Sequence, residues 1–426
     1  MPQVSCRNVI VEQEAERCLY CHDAPCIRDC PVHVNVPEFI ARIRSGHLGG
    51  AAELVYTENP LGFSCGQVCP TEELCARKCV RGALDSPISI GLLQAVACEH
   101  AVVGHLVRFA YHANRARWAV AVIGGGPAGL SCAHFLRLQG YRVTLFDRER
   151  QLGGLLRSGI PAHRLNGPVA AAEIELIASG LQWNTAEIAG PVTGRILDEH
   201  DAVFLAPGCW SFPPLAVPGY DLQGVIPASV FLKELARGTL VPRDYVNNEI
   251  AIVGGGSTAV DTARACLRIG ARRAIVVYRR GLHEMPACWS EYIAAAEEGV
   301  EFVWLASPVA VSKTREGLAL ELDKMILGEP DEGGRRRPVP SGKRTSLTVD
   351  RVLVALSSLP ESASLSGWPG LEFLAPTQLT AHCMQSVATP KLFLGGDVTG
   401  AGTVVQAVAD GKDAAERIHT WLSGQD

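Results

Sequence analysis

The chain has 426 residues, 47% of them hydrophobic and 19% charged, which is too long for one ordinary domain and too apolar for a disordered segment. Its 39 basic and 44 acidic residues leave a formal charge of −5, so no nucleic-acid or other polyanion partner is expected. Fifteen cysteines, an odd number, point to thiolate ligation or redox chemistry in a reducing compartment over a disulfide framework.

The N-terminal Met1-Pro-Gln-Val-Ser-Cys-Arg7 shows neither an export signal nor a transit signal, and a cytoplasmic location is expected. Ten cysteines follow within the first 98 residues, and eight of them form two runs: Cys18-x2-Cys21-x4-Cys26-x3-Cys30-Pro31, then Cys65-x3-Cys69-Pro70-x4-Cys75-x3-Cys79. Closely spaced thiolates on turns converge on a cubane, and a proline after a cysteine keeps the chain from a helix that would point ligands apart. One cysteine reaching across from the second run would complete each of two [4Fe-4S] clusters. Structural zinc is the alternative, although only one pair has knuckle spacing. Phe39, Ile40 and Ile43, then Leu54 and Val55, then Ile90, Leu93 and Ala97 keep helical spacing, so residues 1–112 are expected as an α-helical domain.

Two later segments repeat each other: Trp118-Ala-Val-Ala-Val-Ile-Gly-Gly-Gly-Pro-Ala-Gly-Leu130 and Glu249-Ile-Ala-Ile-Val-Gly-Gly-Gly-Ser-Thr-Ala-Val260. Each is an apolar run ending in glycines, read as strand, turn and helix of a dinucleotide-binding unit. In the first, Gly124 allows the turn, Gly126 lets the backbone approach a pyrophosphate and Gly129 lets helix and strand pack closely, while Asp147 ends the next strand where a carboxylate accepts ribose hydroxyls. Between the units, the uncharged stretch from Ala202 to Tyr220 holds Pro207, Pro213, Pro214 and Pro218, and no transmembrane segment is expected. The second unit ends its equivalent strand with Arg279 and Arg280, where guanidinium groups bind a 2′-phosphate, which favours NADPH and leaves NADH possible. Gly328 to Pro340 reads as a polar loop whose three arginines form a solvated tip, followed by a strand over Val349 to Leu356. Leu392-Phe-Leu-Gly-Gly-Asp397 and the helical spacing of Val404, Val408, Ala415, Ile418 and Leu422 close the chain. The expected fold is multidomain: the α-helical domain (1–112), then two α/β Rossmann-like units. The second (229–352) is inserted in the first (113–228 and 353–426).

The cysteine runs together with Asn59-Pro-Leu-Gly62, Cys65-Gly-Gln-Val-Cys-Pro70, Thr71-Glu-Glu-Leu-Cys75 and Pro87-Ile-Ser-Ile-Gly-Leu-Leu-Gln94 resemble the electron-input half of the dihydropyrimidine dehydrogenase family. The glutamate synthase small subunit shares this layout. The resemblance covers essentially the whole chain. It implies one cluster on Cys18, Cys21, Cys26 and Cys79 and a second on Cys30, Cys69 and Cys75 with Gln94 as fourth ligand, leaving Cys65 a non-ligand. Glutamate synthase small subunits typically carry Glu at the position of Gln94. For FAD the resemblance implies Val68, Gly124, Gly126, Pro127, Ala128, Gly129, Asp147, Gly153, Gly154, Leu155, Arg164, Gly208, Gly396, Asp397, Thr403 and Val404. For NAD(P)H it implies Gly254, Gly256, Ser257, Thr258, Ala259, Arg279, Arg280, Ala355, Leu356 and Ser357. Relatives usually have Ala-x-Gly where this chain reads Ala355-Leu-Ser357, which puts nicotinamide affinity in doubt.

The function expected is hydride transfer from NAD(P)H to FAD and one-electron steps through two clusters to a partner subunit. The cofactors carry the chemistry, so no catalytic side chain is needed. The resemblance makes the partner an FMN- and iron-sulfur-containing subunit that reduces uracil or thymine, in a heterotetramer. The alternatives are the NADPH-oxidising small subunit of glutamate synthase or of another reductase, and a redox-silent adaptor. A dithiol reductase is disfavoured, because Cys132, Cys209, Cys266, Cys288 and Cys383 are isolated.

Overall fold

Short helices punctuated by proline, glycine and asparagine open the chain: α1 (Cys6–Glu16), α2 (Pro25–Arg28), α3 (Val36–Arg44), α4 (Leu48–Glu58), α5 (Gly62–Val68) and α6 (Ile90–Val103). Asn35 caps α3, its side-chain oxygen accepting from the Glu38 N–H at 3.3 Å with Pro37 in the first turn. Phe39, Ile40 and Ile43 on α3, Val55 on α4, and Ile90, Leu93 and Ala97 on α6 are buried, as their spacing requires. The computed structural model describes residues 6–112, 115–187, 189–190, 192–331, 333–369, 371, 373–375, 378–379, 385–386 and 388–424. The boundary expected at 113 and the isolated Cys383 lie outside the described residues.

Next come β1 (Arg115–Ile123), α7 (Pro127–Leu138), β2 (Tyr141–Asp147), α8 (Leu155–Ser158), α9 (Gly167–Ala178), β3 (Gln182–Thr185), α10 (Val192–Glu199) and β4 (Ala202–Leu205). The second repeat supplies β5 (Val225–Pro227), α11 (Ala228–Arg237), β6 (Glu249–Val253), α12 (Ser257–Arg268), β7 (Arg273–Tyr278), α13 (Trp289–Glu297), β8 (Glu301–Trp304), β9 (Ala306–Lys313), β10 (Leu318–Pro330), β11 (Arg336–Val349) and β12 (Arg351–Val354). The chain ends with α14 (Ser362–Leu365), β13 (Phe373–Ala375), β14 (Gln378–Leu379), β15 (Leu392–Leu394) and α15 (Val404–Ser423).

One parallel sheet runs β15-β4-β1-β2-β3 and another runs β5-β12-β6-β7-β8. In each, the strand before the glycines has its successor on one side and a later strand on the other. The glycine loop therefore sits at the point where strand order reverses, the crevice in which open α/β sheets bind ligands. Residues of β4 are buried throughout, the continuous apolar run of a strand covered on both faces. Helix α15 packs on α7, and Gly411 makes this possible: a Cβ there would stand 2.2 Å from the Ala128 carbonyl oxygen.

The contacts divide the chain into two units, the first Met1–Arg157, Arg164–Trp210 and Leu359–Asp426, the second Ser158–His163 and Ser211–Ser358. The borders at 210/211 and 358/359 differ from those expected near 229 and 353, because β5 and β12 pair within the second sheet. The Gly328–Pro340 segment is mostly strand, not loop. Strands β10 and β11 pair antiparallel as far out as Pro330 and Arg336, and the Asp331 carboxylate accepts the Gly333 and Arg335 N–H groups at the turn. Among the described residues no helix is long and apolar enough to cross a membrane.

Candidate redox site

In the first unit the thiols fall into two groups. Burial and then the neighbouring Cys79 and Cys18 push the Cys26 thiol up to about 12, and Cys18 is raised by burial and by Cys79 and Cys21. Cys75 is likewise pushed up to about 12 by burial, Cys30 and Cys26. Cys69 is raised well above its ordinary value by its hydrogen bond with Cys65, then by burial and by Cys75 and Cys30. Cys26 thus neighbours Cys79, Cys18 and Cys21, and Cys69 neighbours Cys65, Cys75 and Cys30, while Cys75 also feels Cys26, so the two groups adjoin.

Such groups suit a cationic centre, which displaces the thiol protons and relieves the mutual repulsion of the thiolates. Backbone N–H groups of Val34, Val32 and His33 already point at the Cys30 sulfur, and those of Tyr20 and Ala76 at Cys18 and Cys75. N–H donors of this kind tune iron-sulfur centres. Among the described residues no three His, Cys, Asp or Glu side chains converge as ligands of one ion. A cubane takes each thiolate at a different iron, so its ligands stand farther apart than those of a single ion.

A cavity at the second group is lined by Cys30, Cys65, Cys69, Cys75, Asn59 and Gln94. Gln94 is buried on α6 and its amide nitrogen donates to the Gly62 carbonyl at 2.7 Å, leaving the amide oxygen for a ligand. Cys65, set aside on sequence grounds, shares this cavity with the others.

The first glycine loop has the form its spacing requires. Gly124 has φ +101°, and a Cβ on it would lie 2.1 Å from the Ala206 carbonyl oxygen. A Cβ on Gly129 would lie 1.8 Å from the Gly124 carbonyl oxygen, whereas nothing stands within 4 Å of one on Gly126. The open position caps α7, with Pro127 and Ala128 in its first turn, so free N–H groups face a space with room for a phosphate. Asp147 accepts from the Gly125 N–H at 2.6 Å and the Glu149 N–H at 2.7 Å, and burial raises its carboxyl. Each oxygen keeps a lone pair for a ribose hydroxyl. Gly154 meets Gly126, where its Cβ would approach to 3.0 Å, and Gly153 donates to the Gly125 carbonyl at 2.7 Å. Gly208 (φ +73°) and Gly396 (φ +82°) turn the ends of β4 and β15. Thr403 caps α15 ahead of Val404, burial raises Asp397, Leu155 is partly exposed, and Arg164 donates to the Val68 carbonyl at 3.4 Å.

The second loop repeats the device. Gly254 has φ +148° and its Cβ would meet the Ala355 carbonyl oxygen at 2.2 Å, while Gly256 is open and caps α12, which begins Ser257, Thr258, Ala259. Leu356 and Ser357 are exposed just beyond β12. Of the two arginines only Arg279 is exposed. Arg280 is a correction to the sequence reading: it is buried, donating to Asp331 at 2.9 Å and to the Arg336 carbonyl at 2.8 Å, so its charge is spent on the turn between β10 and β11. The three arginines of that turn, Arg335 to Arg337, are exposed as expected, with Arg280 buried beneath them.

Three acids escaped the sequence reading. Glu173 is buried in the apolar helix α9; Asp410 accepts from the Gly396 N–H at 2.7 Å and holds the β15 turn; Asp261, one turn into α12, lies 3.6 Å from His163, both buried. An acid inside an otherwise apolar helical face was the one available signal.

The family model described as dihydropyrimidine dehydrogenase domain II, 4Fe-4S cluster, matches residues 3–105, and that of pyridine nucleotide-disulphide oxidoreductases matches residues 118–411. Putative oxidoreductase AegA of Escherichia coli is 33% identical over 96% of this chain, which spans 65% of that protein. The glutamate synthase [NADPH] small chain of Halomonas elongata is 33% identical over 96% of this chain and 90% of its own length. The NADP(+)-dependent formate dehydrogenase subunit beta of Moorella thermoacetica is 33% identical over 94% of this chain and 60% of its own. Among solved structures, Mycobacterium tuberculosis FprA in complex with NADPH aligns with a TM-score of 0.61 at 18% identity, covering 72% of this chain and 85% of its own, a likeness of fold.

Proposed function

The chain belongs to the pyridine nucleotide-disulphide oxidoreductases, in the family that includes the glutamate synthase small chains, and on that premise we propose that it is the NADPH-oxidising electron-input chain of a larger reductase. The observation that carries the reading is the presence of both thiol groups in the same compact unit as the first glycine loop. When bound, nicotinamide and flavin supply hydride transfer and the clusters supply one-electron steps to an acceptor on another chain. Gly124, Gly126, Gly129 and the start of α7 would hold the FAD pyrophosphate and Asp147 its ribose, with Val68, Gly153, Gly154, Leu155, Arg164, Gly208, Gly396, Asp397, Thr403 and Val404 around the rest. Gly254, Gly256 and the first turn of α12 would hold the NADPH pyrophosphate, Arg279 its 2′-phosphate, and Ala355 to Ser357 the nicotinamide side. One cluster would take Cys18, Cys21, Cys26 and Cys79, the other Cys30, Cys69, Cys75 and Gln94. The pairing of β15 with β4 supports reading the second dinucleotide unit as an insertion in the first.

Relatives named as small chain of glutamate synthase and subunit beta of a formate dehydrogenase support a partner that completes the reaction. Glutamate synthase or another reductase is the first choice for that partner. A second reading, input to pyrimidine reduction, is favoured by one observation: Gln94, an amide, lines the thiol cavity. Purified alone, the chain is expected to pass electrons from NADPH to an artificial dye and to turn over neither 2-oxoglutarate with glutamine nor uracil. The catalytic subunit that restores turnover decides between the readings. Reduction of either final substrate by the isolated chain would overturn the division of labour.

A further inference from the structure

Glu173 is fully buried in α9, yet it is surrounded by donors. One carboxylate oxygen accepts from the Tyr56 hydroxyl at 2.9 Å and the Phe63 N–H at 2.5 Å; the other accepts from the Ser64 N–H at 3.0 Å and the Ser64 hydroxyl at 2.7 Å. Two of these donors are backbone groups in the first turn of α5, which a helix cannot satisfy internally. The same stretch of chain grips the other end of α5, where Arg164 donates to the Val68 carbonyl at 3.4 Å and the Asn166 N–H donates to the Gln67 side chain at 2.8 Å. Gln94 holds the Gly62 carbonyl from α6. Helix α5 thus leads into Cys69 with both ends fastened, and the segment 164–173 supplies most of the fastenings.

A desolvated carboxylate costs more to bury than a neutral amide or water making the same contacts. We propose that Glu173 is a positioning residue for electron transfer: it fixes α5, and with it Cys69, against the flavin-side segment 164–173, and its negative charge lowers the potential of the adjoining cluster. The proposal rests on the electron-input reading above. Burial raises the Glu173 carboxyl to about 7 while the four donors favour its charged form, so its negative charge grows as pH rises and the test is run on the alkaline side. A fixed negative charge in a low-dielectric site opposes addition of an electron nearby.

The test uses the whole holoprotein at pH 8. Glu173→Gln, which removes the charge and keeps the shape, is expected to retain FAD and iron and to shift one cluster to a more positive midpoint potential in an EPR-monitored redox titration. Glu173→Ala, which removes all four contacts, is expected to slow flavin-to-cluster transfer by about 10- to 100-fold, the scale of effect that a small misplacement produces, with the NADPH-to-flavin step unchanged. Wild-type potentials and transfer rates in both variants would overturn the proposal. Should the Ala variant fail to fold, the potential of the Gln variant decides alone. Wild-type clusters that NADPH never reduces would instead overturn the underlying electron-input reading.

Discussion

The two glycine loops share a backbone and differ in what stands at the end of the following strand. In both, the first glycine has positive φ and faces a carbonyl oxygen of the neighbouring crossover strand, Ala206 in one and Ala355 in the other, at 2.1 and 2.2 Å from where a Cβ would stand. In both, the second glycine opens on empty space at a helix N-terminus. The middle differs: Gly125 lies against Leu152 and the Asp147 carboxylate, Gly255 against the ring of Tyr278, and the third glycine, Gly129, is replaced by the buried Ala259. Phosphate binding needs only the shared backbone. On the proposed reading, the choice between a ribose hydroxyl and a ribose phosphate would be made by the carboxylate of Asp147 or the exposed guanidinium of Arg279.

The largest effect expected is from the shared element. Gly124→Ala and Gly254→Ala each place a Cβ against a backbone oxygen at positive φ, at a cost of about 2 to 5 kcal/mol. Gly124→Ala should purify with little flavin, and Gly254→Ala should keep flavin while losing its reduction by NADPH; flavin absorbance per chain reads both. The arginines separate next. Arg280→Ala breaks a pair that is buried on one side only and should destabilise the second unit by about 2 to 3 kcal/mol in denaturant melts, with no preference between NADPH and NADH. Arg279→Ala should weaken NADPH binding by about 1.5 to 3 kcal/mol and leave NADH unchanged in equilibrium titrations.

A smaller effect divides the two units by pH. His134 on α7 is buried, shares a hydrogen bond with the Tyr111 hydroxyl, and is lowered by burial, and to a lesser degree by Arg137, to about 3. A depressed histidine contributes stability that is complete above its unfolded value near 6.5 and is lost as pH falls toward 3, amounting to about 2 kcal/mol by pH 5. Acid melts should therefore reach the first unit before the second, and His134→Gln should flatten that slope. Smallest of all, Cys65→Ala should keep every iron, whereas Cys75→Ala should lose one cluster and keep the other.

The glycine loops were legible because each glycine has a geometric reason at a fixed spacing, and the two cysteine runs because cysteines on short turns are close in sequence, whereas the grouping across the runs, Cys79 with Cys26 and Cys30 with Cys69, depends on the fold. The closing helix was legible too: Val408, Ala415, Ile418 and Leu422 are all buried. What escaped depends on partners brought from far along the chain. Arg280 meets Asp331 from 51 residues away, and Glu173 meets Phe63 and Ser64 across more than a hundred, so neither pairing leaves a local pattern. The edge strand β5 is only three residues long and is a strand by virtue of pairing with β12.

The central claim, that electrons from NADPH pass through the flavin to iron-sulfur centres in this chain, is tested most directly by anaerobic titration of the purified protein with NADPH under visible and EPR detection. About eight irons per chain, bleaching of the flavin and the appearance of reduced-cluster signals on addition of NADPH are the predicted result. Stoichiometric zinc without iron, or a flavin that is reduced while the clusters stay oxidised, would contradict it.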